Sequence, residues 1–431
     1  MLIAGQPQIL RDLNEINILH LIREEGPISR INIAKKIGIS QTAVSRIVAR
    51  LRRDDFIIED SNTKNKRSVG RQPIFLHFNN NIGNIIAIDI GRCETTIALV
   101  NLGGKLLAKE SFPSDLHRKR DDVLKDLNRR VIKFLSLNGQ TLKNVYGIGV
   151  TIPGIVKTPE GIIRSFCRKN DWVDFNLRGY FEKKLKIFTC IESDTRAITL
   201  GEYYMGVGKN NNNMVCLCIT DAGPYAGIVH NGQLIRGISD SAGELGTINV
   251  GYYIRQGYLF KSLFKNEEDV LFDEIVLPAT LVNIAKQEIE KGKVLKGPDG
   301  PLNLKTLNVI DIVQAAEIGD EFCRYILKEF ASILSALCIN IINLYNPELI
   351  ILNGEIFWEG TYIIKTIDEL VKKHILPISV EPVRFMSSVL KENRYIIGIA
   401  SLVLNKLFAP PKIDNESFIA FKKMRPLSFI N

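Results

Sequence analysis

The sequence predicts an α/β protein that carries a small winged helix-turn-helix module at its N-terminal end. Residues 14–54 place apolar side chains at helical spacing in three runs, separated by a Gly-Pro pair and a glycine. Residues 56–78 hold two β-type runs around a basic loop. From residue 84, β-type runs alternate with helical stretches, the pattern of α/β domains. A chain of 431 residues is long enough for two or three such domains.

The first three helices are delimited by their cap and turn residues. A first helix ends before Gly26-Pro27, and Ser29 is placed to cap a second. Gly38 suits the sharp turn that follows, because it accepts a left-handed backbone. Ser40 is placed to cap a third helix over residues 41–54. Two short helices joined by this turn predict a helix-turn-helix.

The third helix is expected to read DNA. Polar side chains near the start of a recognition helix reach base edges, and trailing arginines meet phosphates. We predict base contacts from Gln41, Thr42 and Arg46, with a solvated helix face as the alternative. The candidate DNA contacts of this helix are Ser40, Gln41, Thr42, Ser45, Arg46 and Arg50.

A basic hairpin follows, with predicted strands over residues 56–59 and 74–78. Lys66 and Arg67 in its loop are candidate DNA contacts, because cations there cannot help a core. Arg71 lies in a stiff Gly-Arg-Gln-Pro segment, a shape suited to a narrow minor groove. The hairpin is therefore interpreted as a wing, and a flexible linker is the alternative.

Charge and cysteine content bound the function class. The net charge is +9, and residues 1–80 hold 13 Lys and Arg against 8 Asp and Glu. A basic N-terminal module fits a polyanionic partner, although a solvated basic surface explains the charge equally well. The seven cysteines are scattered, which favours reduced thiols in a cytoplasmic protein. Cys216 and Cys218 alternate on one predicted strand, so we interpret them as core residues rather than metal ligands.

No membrane segment is expected. The start of the chain lacks the basic region and apolar core of a signal peptide. The most apolar stretch, residues 326–352, is interrupted by charged and asparagine residues. It predicts a buried helix followed by a strand rather than a membrane span.

The rest of the chain contains several strand-turn units, in which ligands are expected at the carboxyl ends of the strands. Eight segments of the sequence, two of them in the N-terminal module, resemble in their order the ROK family (repressors, open reading frames, kinases). They resemble most its helix-turn-helix branch, which includes xylose- and N-acetylglucosamine-responsive repressors. The segments are ISRINIAKKIGISQTAVSRIV, GRQP, AIDIGRCETTIALVNLGG, GVTIPGIV, IESDTRAITLGE, SAGELGTINV, IILNGEI and IGIASLVL.

The resemblance implies an actin-like (RNase H-like) sugar-kinase fold, with sugar and ATP between two α/β lobes. We accordingly expect a winged helix-turn-helix over residues 1–79, a small lobe over 80–200 and a large lobe over 201–431. Whether the C-terminal helix returns to the small lobe is left open. A homodimer, or a dimer of dimers, is also implied.

The resemblance also identifies candidate sugar ligands. Asp194 matches the general base of the kinases, and Ser193 stands where they have an asparagine. Glu244 matches a ligand of a sugar hydroxyl, with a turn cap as the alternative. Asn170 and Asp171 lie in the segment that sets sugar specificity in the family, and they are candidate partners of sugar hydroxyls. The alternative is a loop without a ligand, held in place by a buried Trp172.

Other family positions are lost. The family's zinc-binding histidine is Thr247 here, and its cysteines fall on Gly251, Tyr253 and Tyr258. Its sugar-binding glutamate becomes Phe260, which puts ordinary hexose recognition in doubt. Zinc needs about four ligands, so we predict no metal site. We expect no cofactor either.

Both phosphate loops are altered as well. Glu94 and Asp221 add negative charge where phosphates would bind, and Pro224 removes an N–H donor. The leading hypothesis is a sugar-responsive repressor that is not an enzyme. It would bind double-stranded operator DNA and a sugar or sugar-phosphate effector, without a membrane. The alternatives are an active ATP-dependent sugar kinase retaining a DNA-binding domain, and a regulator without a small-molecule effector.

Overall fold

The chain groups into two compact units. The computed structural model describes residues 7–60, 74–167, 170–220, 223–248, 275–380, 383–408 and 410. The first unit comprises residues 1–152, 158–192 and 399–431, and the second comprises residues 153–157 and 193–398. The chain passes into the second unit at Ser193. It returns to the first unit at Ile399.

The N-terminal part of the first unit is a winged helix-turn-helix, which we call the head. Its elements are α1 (Pro7–Glu25), β1 (Ile28–Ser29), α2 (Arg30–Ile37), α3 (Gln41–Arg53), β2 (Ile57–Asp60) and β3 (Phe75–Phe78). Ser29 Oγ accepts a hydrogen bond from Asn32 N at 3.3 Å, and Gly38 has a φ of +76°. The predicted cap and turn are therefore confirmed.

The hairpin strands are also confirmed. β2 pairs antiparallel with β3 in the register Ile57↔Phe78 and Asp60↔Phe75. β1 pairs with the other edge of β3, and completes a three-stranded sheet. The loop tip that holds Lys66, Arg67 and Arg71 lies outside the described residues.

The remainder of the first unit is built on a five-stranded sheet in the order β10-β7-β4-β5-β6. β4 pairs antiparallel with β5 and parallel with β7. The elements are β4 (Asn84–Ile90), β5 (Glu94–Asn101), β6 (Leu106–Pro113), α4 (Arg120–Leu137), β7 (Val145–Ile152), β9 (Ile162–Phe166), α5 (Leu177–Leu185) and β10 (Thr189–Ser193).

The second unit contains a sheet in the order β13-β12-β11-β16-β17. The strands of that sheet are β11 (Met214–Thr220), β12 (Gly223–His230), β13 (Gln233–Leu234), β16 (Leu349–Asn353) and β17 (Arg384–Ser387). The second unit also contains β8 (Gly154–Lys157), β14 (Lys296–Gly297) and β15 (Gly300–Pro301). Its helices are α6 (Asp194–Met205), α7 (Pro278–Glu290), α8 (Val309–Glu317), α9 (Glu321–Tyr345), α10 (Tyr362–His374), α11 (Pro377–Val380) and the start of α12 (Arg394–Phe408).

The two five-stranded sheets repeat one topology. In each, the first strand of the sheet pairs with an antiparallel hairpin on one side and with a parallel strand on the other. The chain reaches that parallel strand through a helix, α4 in the first unit and α9 in the second. The predicted actin-like pairing of two α/β units is therefore confirmed.

The helix α9 supplies much of the core of the second unit. Phe330, Leu334 and Cys338 on this helix are fully buried. Among the described helices, α9 is the one long and apolar enough to cross a membrane, but 67% of its most apolar window is buried within the protein. Since β16 follows it, the predicted buried helix and strand are confirmed.

Candidate functional site

The helix α3 divides cleanly into a buried and an exposed face. Val44, Val48 and Leu51 are at most 2% exposed and fix the helix in the core of the head. Ser40 Oγ accepts a hydrogen bond from Ala43 N at 3.2 Å, as predicted for the cap. The residues of the opposite face are exposed, and they are Ser40, Gln41, Thr42, Ser45 and Arg46. Ser40 is engaged as the cap, whereas the other four side chains make no hydrogen bond to a described residue.

The arginines of α3 differ in their surroundings. Arg46 has no ion pair or hydrogen bond with any described residue. Arg50 Nη2 lies 2.7 Å from Glu15 Oε2, and the Glu15 side chain is only 6% exposed. Arg52 and Arg53 pair with acidic residues of the head. Arg50 was predicted to bind DNA; in the structure it links α3 to α1.

The root of the wing is held by a shared carboxylate. Glu59 on β2 pairs with Arg30 at the start of α2 and with Arg52 at 2.9 Å. Lys35 on α2 is exposed and, among the described residues, has no ion-pair partner. Sequence reasoning did not single out Lys35, although the adjacent pair Lys35-Lys36 was a visible signal.

In the second unit, Ser193 and Asp194 lie where β10 ends and α6 begins. Ser193 is 3% exposed, and Asp194 is the first residue of the helix. Thr195 N donates to Asp194 Oδ1 at 2.8 Å. The positive end of the helix dipole favours an ionised carboxylate at this position. Asp194 is thereby placed to accept hydrogen bonds from hydroxyl groups.

Arg196, which sequence reasoning missed, organises the loop that carries Glu244. Its guanidinium is buried and donates to Asp240 O at 2.6 Å and to Val156 O at 3.1 Å. Partial desolvation by the surrounding protein raises the pKa of the Glu244 carboxyl, and the positive charge of Arg196 opposes that rise. An arginine on the buried face of α6 was the available signal.

The backbone of the Glu244 loop is attached to β12. Ala226 N donates to Gly243 O at 2.9 Å, and Tyr225 forms an isolated bridge with Glu244. A Cβ on Gly243 would come within 2.0 Å of Ala226 O, so only glycine permits this approach. Glu244 itself is exposed.

The first phosphate-loop position is a tight turn. Gly91 N donates to Glu94 O at 3.0 Å, and a Cβ on Gly91 would lie 2.5 Å from that oxygen. Thr151 Oγ1 donates to Asp89 Oδ1 at 2.7 Å, and Glu94 is exposed. Gly91 is therefore required by the turn itself.

At the second phosphate-loop position, β11 and β12 pair as far as Thr220↔Gly223. Pro224 is buried within β12. A Cβ on Gly227 would meet Thr199 Oγ1 at 1.7 Å, so this glycine lets α6 lie against the strand. Asp221 lies outside the described residues.

In the sugar-specificity segment, Asp171 has a structural role. Its Oδ2 accepts from Arg120 N at 3.0 Å, and its backbone oxygen accepts from the Arg120 guanidinium at 2.6 Å. Trp172 is fully buried, with its ring 4.6 Å from that of Phe166. The side chain of Asn170 lies outside the described residues. Asn170 and Asp171 belong to the first unit, whereas Ser193, Asp194 and Glu244 belong to the second.

The cysteines bear on redox and metal chemistry. All seven are free thiols, and Cys216 and Cys218 are fully buried with sulfur atoms 3.7 Å apart. Hydrogen bonding with Cys218 and burial raise the pKa of Cys216. The interpretation of this pair as core is confirmed. The described residues include no cluster of three or more His, Cys, Asp or Glu arranged for a metal, and residues 251–260 lie outside them.

Comparisons with known proteins cover nearly the whole chain. It is 23% identical over 418 residues to a xylose repressor of Caldicellulosiruptor bescii, covering 95% of this chain and 99% of the relative. It is 26% identical over 377 residues to the DNA-binding transcriptional dual regulator NagC of Escherichia coli, covering 86% of this chain and 87% of the relative.

Solved structures agree on the fold. A ROK family transcriptional regulator, a homolog of the E. coli MLC protein, superposes with a TM-score of 0.75 at 23% identity, covering 96% of this chain and 99% of that one. A ROK family glucokinase from Streptomyces griseus, solved with glucose and AMPPNP, gives 0.57 at 21% identity, covering 74% of this chain and 99% of that one.

Two family profiles match the chain, one in the winged helix-turn-helix and one in the α/β part that follows it. The MarR family profile matches residues 12–69, which lie within the head. The ROK family profile matches residues 85–269 and 277–406, well over half of the chain. The eight segments that resembled this family in the sequence fall within or beside these matches. The chain therefore belongs to the ROK family.

Proposed function

We propose that the chain is a sugar-responsive transcriptional repressor that reads operator DNA with α3. The observation that carries this proposal is the exposed polar face of α3, on which Gln41, Thr42 and Arg46 are free to contact bases. Their side-chain chemistry suits the major groove, where arginine recognises guanine and glutamine recognises adenine. The names of the relatives, xylose repressor and NagC, support the same assignment.

The repressor acts as a homodimer in the cytoplasm. A helix-turn-helix reads only a few base pairs, so two heads on a pseudo-palindromic operator supply affinity and specificity. Lys66, Arg67 and Arg71 add wing contacts, with Arg71 in the minor groove.

A sugar or sugar phosphate is the effector, and the residues proposed to bind it are Ser193, Asp194 and Glu244, together with the sequence-predicted ligands Asn170 and Asp171. Hydroxyl and carboxylate oxygens are suitable partners for sugar hydroxyls. The effector acts by its different affinity for two states of the protein, and by linkage it changes the affinity for DNA.

Phosphoryl transfer is not part of this function. Transfer depends on positioning and on neutralising phosphate charge. The loop at Gly91 is a closed turn that carries the exposed carboxylate of Glu94, and β11 and β12 pair as far as Thr220↔Gly223. Neither feature favours a polyphosphate.

The proposal is tested by DNA selection followed by substitution. Duplexes enriched from a random pool on the full chain are titrated by fluorescence anisotropy at fixed salt. Arg46→Ala should weaken binding to the enriched duplex about 5- to 150-fold, the range of a lost bidentate base contact. Arg92→Ala removes another exposed arginine, outside the head, and is the charge-matched control. A pool without enrichment, or equal losses in the two variants, would refute DNA reading by α3.

A further inference from the structure

We propose that helix α12 transmits effector binding to the head, and that Phe408 is the residue that positions the head. This inference rests on the proposed function, because it specifies how the effector residues and the DNA-reading helix are coupled. Residues Arg394–Gly398 of α12 belong to the second unit, and residues Ile399–Phe408 belong to the first. The chain returns to the first unit within this one helix.

The last residue of α12 is enclosed by the head. Phe408 is 1% exposed, and its ring meets that of Phe78 on β3 edge-on at 5.3 Å. The guanidinium of Arg23 on α1 lies 5.2 Å from the centre of the same ring. The Arg23 side chain is 15% exposed, and burial lowers its pKa. A displacement of Phe408 would therefore displace α1 and β3.

Further back, α12 lies directly on the sheet of the first unit. A Cβ on Gly147 would come within 2.5 Å of Val403, and a Cβ on Gly149 within 2.6 Å of Ile399. These two glycines of β7 let the side chains of Val403 and Ile399 on α12 pack directly against the strand backbone. Packing of this kind resists small deformation and favours discrete arrangements.

At its start, α12 makes backbone contact with α6 inside the second unit. A Cβ on Gly398 would lie 2.2 Å from Ala197 O, and a Cβ on Gly201 would lie 2.8 Å from Gly398 Cα. The helix α6 begins at Asp194, one turn before Ala197. A shift of Asp194 upon sugar binding thus reaches α12 without an intervening side chain.

A single helix of 15 residues spans about 22 Å, and it moves as a stiff element. The head has a second anchor that does not involve α12. The ring of Phe56 meets that of Tyr146 on β7 edge-on at 6.1 Å. Loss of Phe408 should therefore leave the head attached while removing its link to α6.

Hydrogen exchange on the full chain tests the link without DNA or sugar. Gly398→Ala forces α12 away from α6, and the amides of α1 and β3 should exchange about 2- to 30-fold faster. Gly360→Ala is the matched control, since a Cβ there would also be crowded, at 2.7 Å from Val313, but not by α12. Unchanged exchange in α1 and β3, or the same change in the Gly360→Ala variant, would overturn the proposal.

A second variant guards against misfolding. Circular dichroism first establishes whether Gly398→Ala is folded. If it is not, Gly201→Ala introduces a methyl group at the same contact between α6 and α12, but from the side of α6. Hydrogen exchange of α1 and β3 is then measured on that variant instead. Adding Phe408→Ala to either variant should return the exchange of α1 to that of Phe408→Ala alone.

The effect on DNA binding separates this inference from the proposed function. With D-xylose as the probe, the affinity of the wild-type chain for its enriched duplex should change 5- to 150-fold. Phe408→Ala should abolish that response, and Phe56→Ala, which removes the anchor outside α12, should keep it. No response in the wild-type chain would count against xylose as effector, while the exchange experiment would still decide the role of α12.

Discussion

Replacing Arg50 with alanine should destabilise the head, beyond any effect on DNA binding. Arg50 Nη2 lies 2.7 Å from Glu15 Oε2, and the Glu15 side chain is 6% exposed. The substitution removes this cation from a carboxylate that water reaches poorly. Removing the cation from a buried carboxylate costs free energy that the same change at the surface does not.

The magnitude follows from the exposure of the two partners. Breaking a fully buried pair costs about 3–5 kcal/mol. The Arg50 side chain is 38% exposed, so water screens the pair, and we expect a loss of about 1–3 kcal/mol. Arg53 is 65% exposed and pairs with the adjacent Asp54. Arg53→Ala on the same helix should cost less than about 0.5 kcal/mol.

The assay is hydrogen exchange of the α3 amides, because both tryptophans, Trp172 and Trp358, lie outside the head and fluorescence would miss its opening. Adding Glu15→Gln to Arg50→Ala should recover part of the loss, as expected for coupled residues. The reasoning is refuted if Arg50→Ala and Arg53→Ala have equal exchange. A DNA affinity that falls while exchange is unchanged would make Arg50 a phosphate contact instead.

Three further predictions follow from the wing, the effector residues and a buried carboxylate. Arg71→Ala should weaken binding to the enriched duplex and relax any A·T preference at fixed salt; unchanged affinity would mean that the wing is not in the groove. A sugar that binds should raise the melting temperature, and Asp194→Asn should remove that rise. Sugar-dependent ATP turnover that Asp194→Asn abolishes would instead identify a kinase. Burial raises the pKa of Glu202, despite its hydrogen bond from Ser388. The folded state then loses stability as pH rises from the ordinary glutamate range towards that raised pKa. The change in melting temperature caused by Glu202→Gln should accordingly be more favourable at pH 7 than at pH 4, and equal changes at the two pH values would contradict this account.

The head could be predicted from the sequence almost element by element, because its signals are local. Ser29 and Ser40 each cap the helix that starts at the next residue, and Gly38 adopts the left-handed turn. Caps and turns act over three or four residues, a distance that a sequence displays directly. The strands of the wing follow from β-branched and aromatic runs in the same way.

The partners of charged residues could not be predicted, because they are distant in the chain. Asp171 remains a predicted sugar ligand, but the sequence did not indicate that its carboxylate also accepts from Arg120 N, which caps α4 from 51 residues away. Arg196 is buried in α6, and its acceptors, the backbone oxygens of Asp240 and Val156, belong to other parts of the chain. Such contacts depend on tertiary packing, for which no local pattern exists.

The glycines of the phosphate loops show how a retained motif residue can mislead. Gly91 survives from the first loop, but its own turn already excludes a side chain there. Gly227, which follows the second loop within β12, is required by the close approach of Thr199 on α6. Packing therefore explains both glycines without any phosphate. Asp194, a carboxylate at the start of α6, has no comparable steric requirement, because other residues begin helices equally well. Effector recognition in this chain is thus better inferred from its polar side chains than from its glycines.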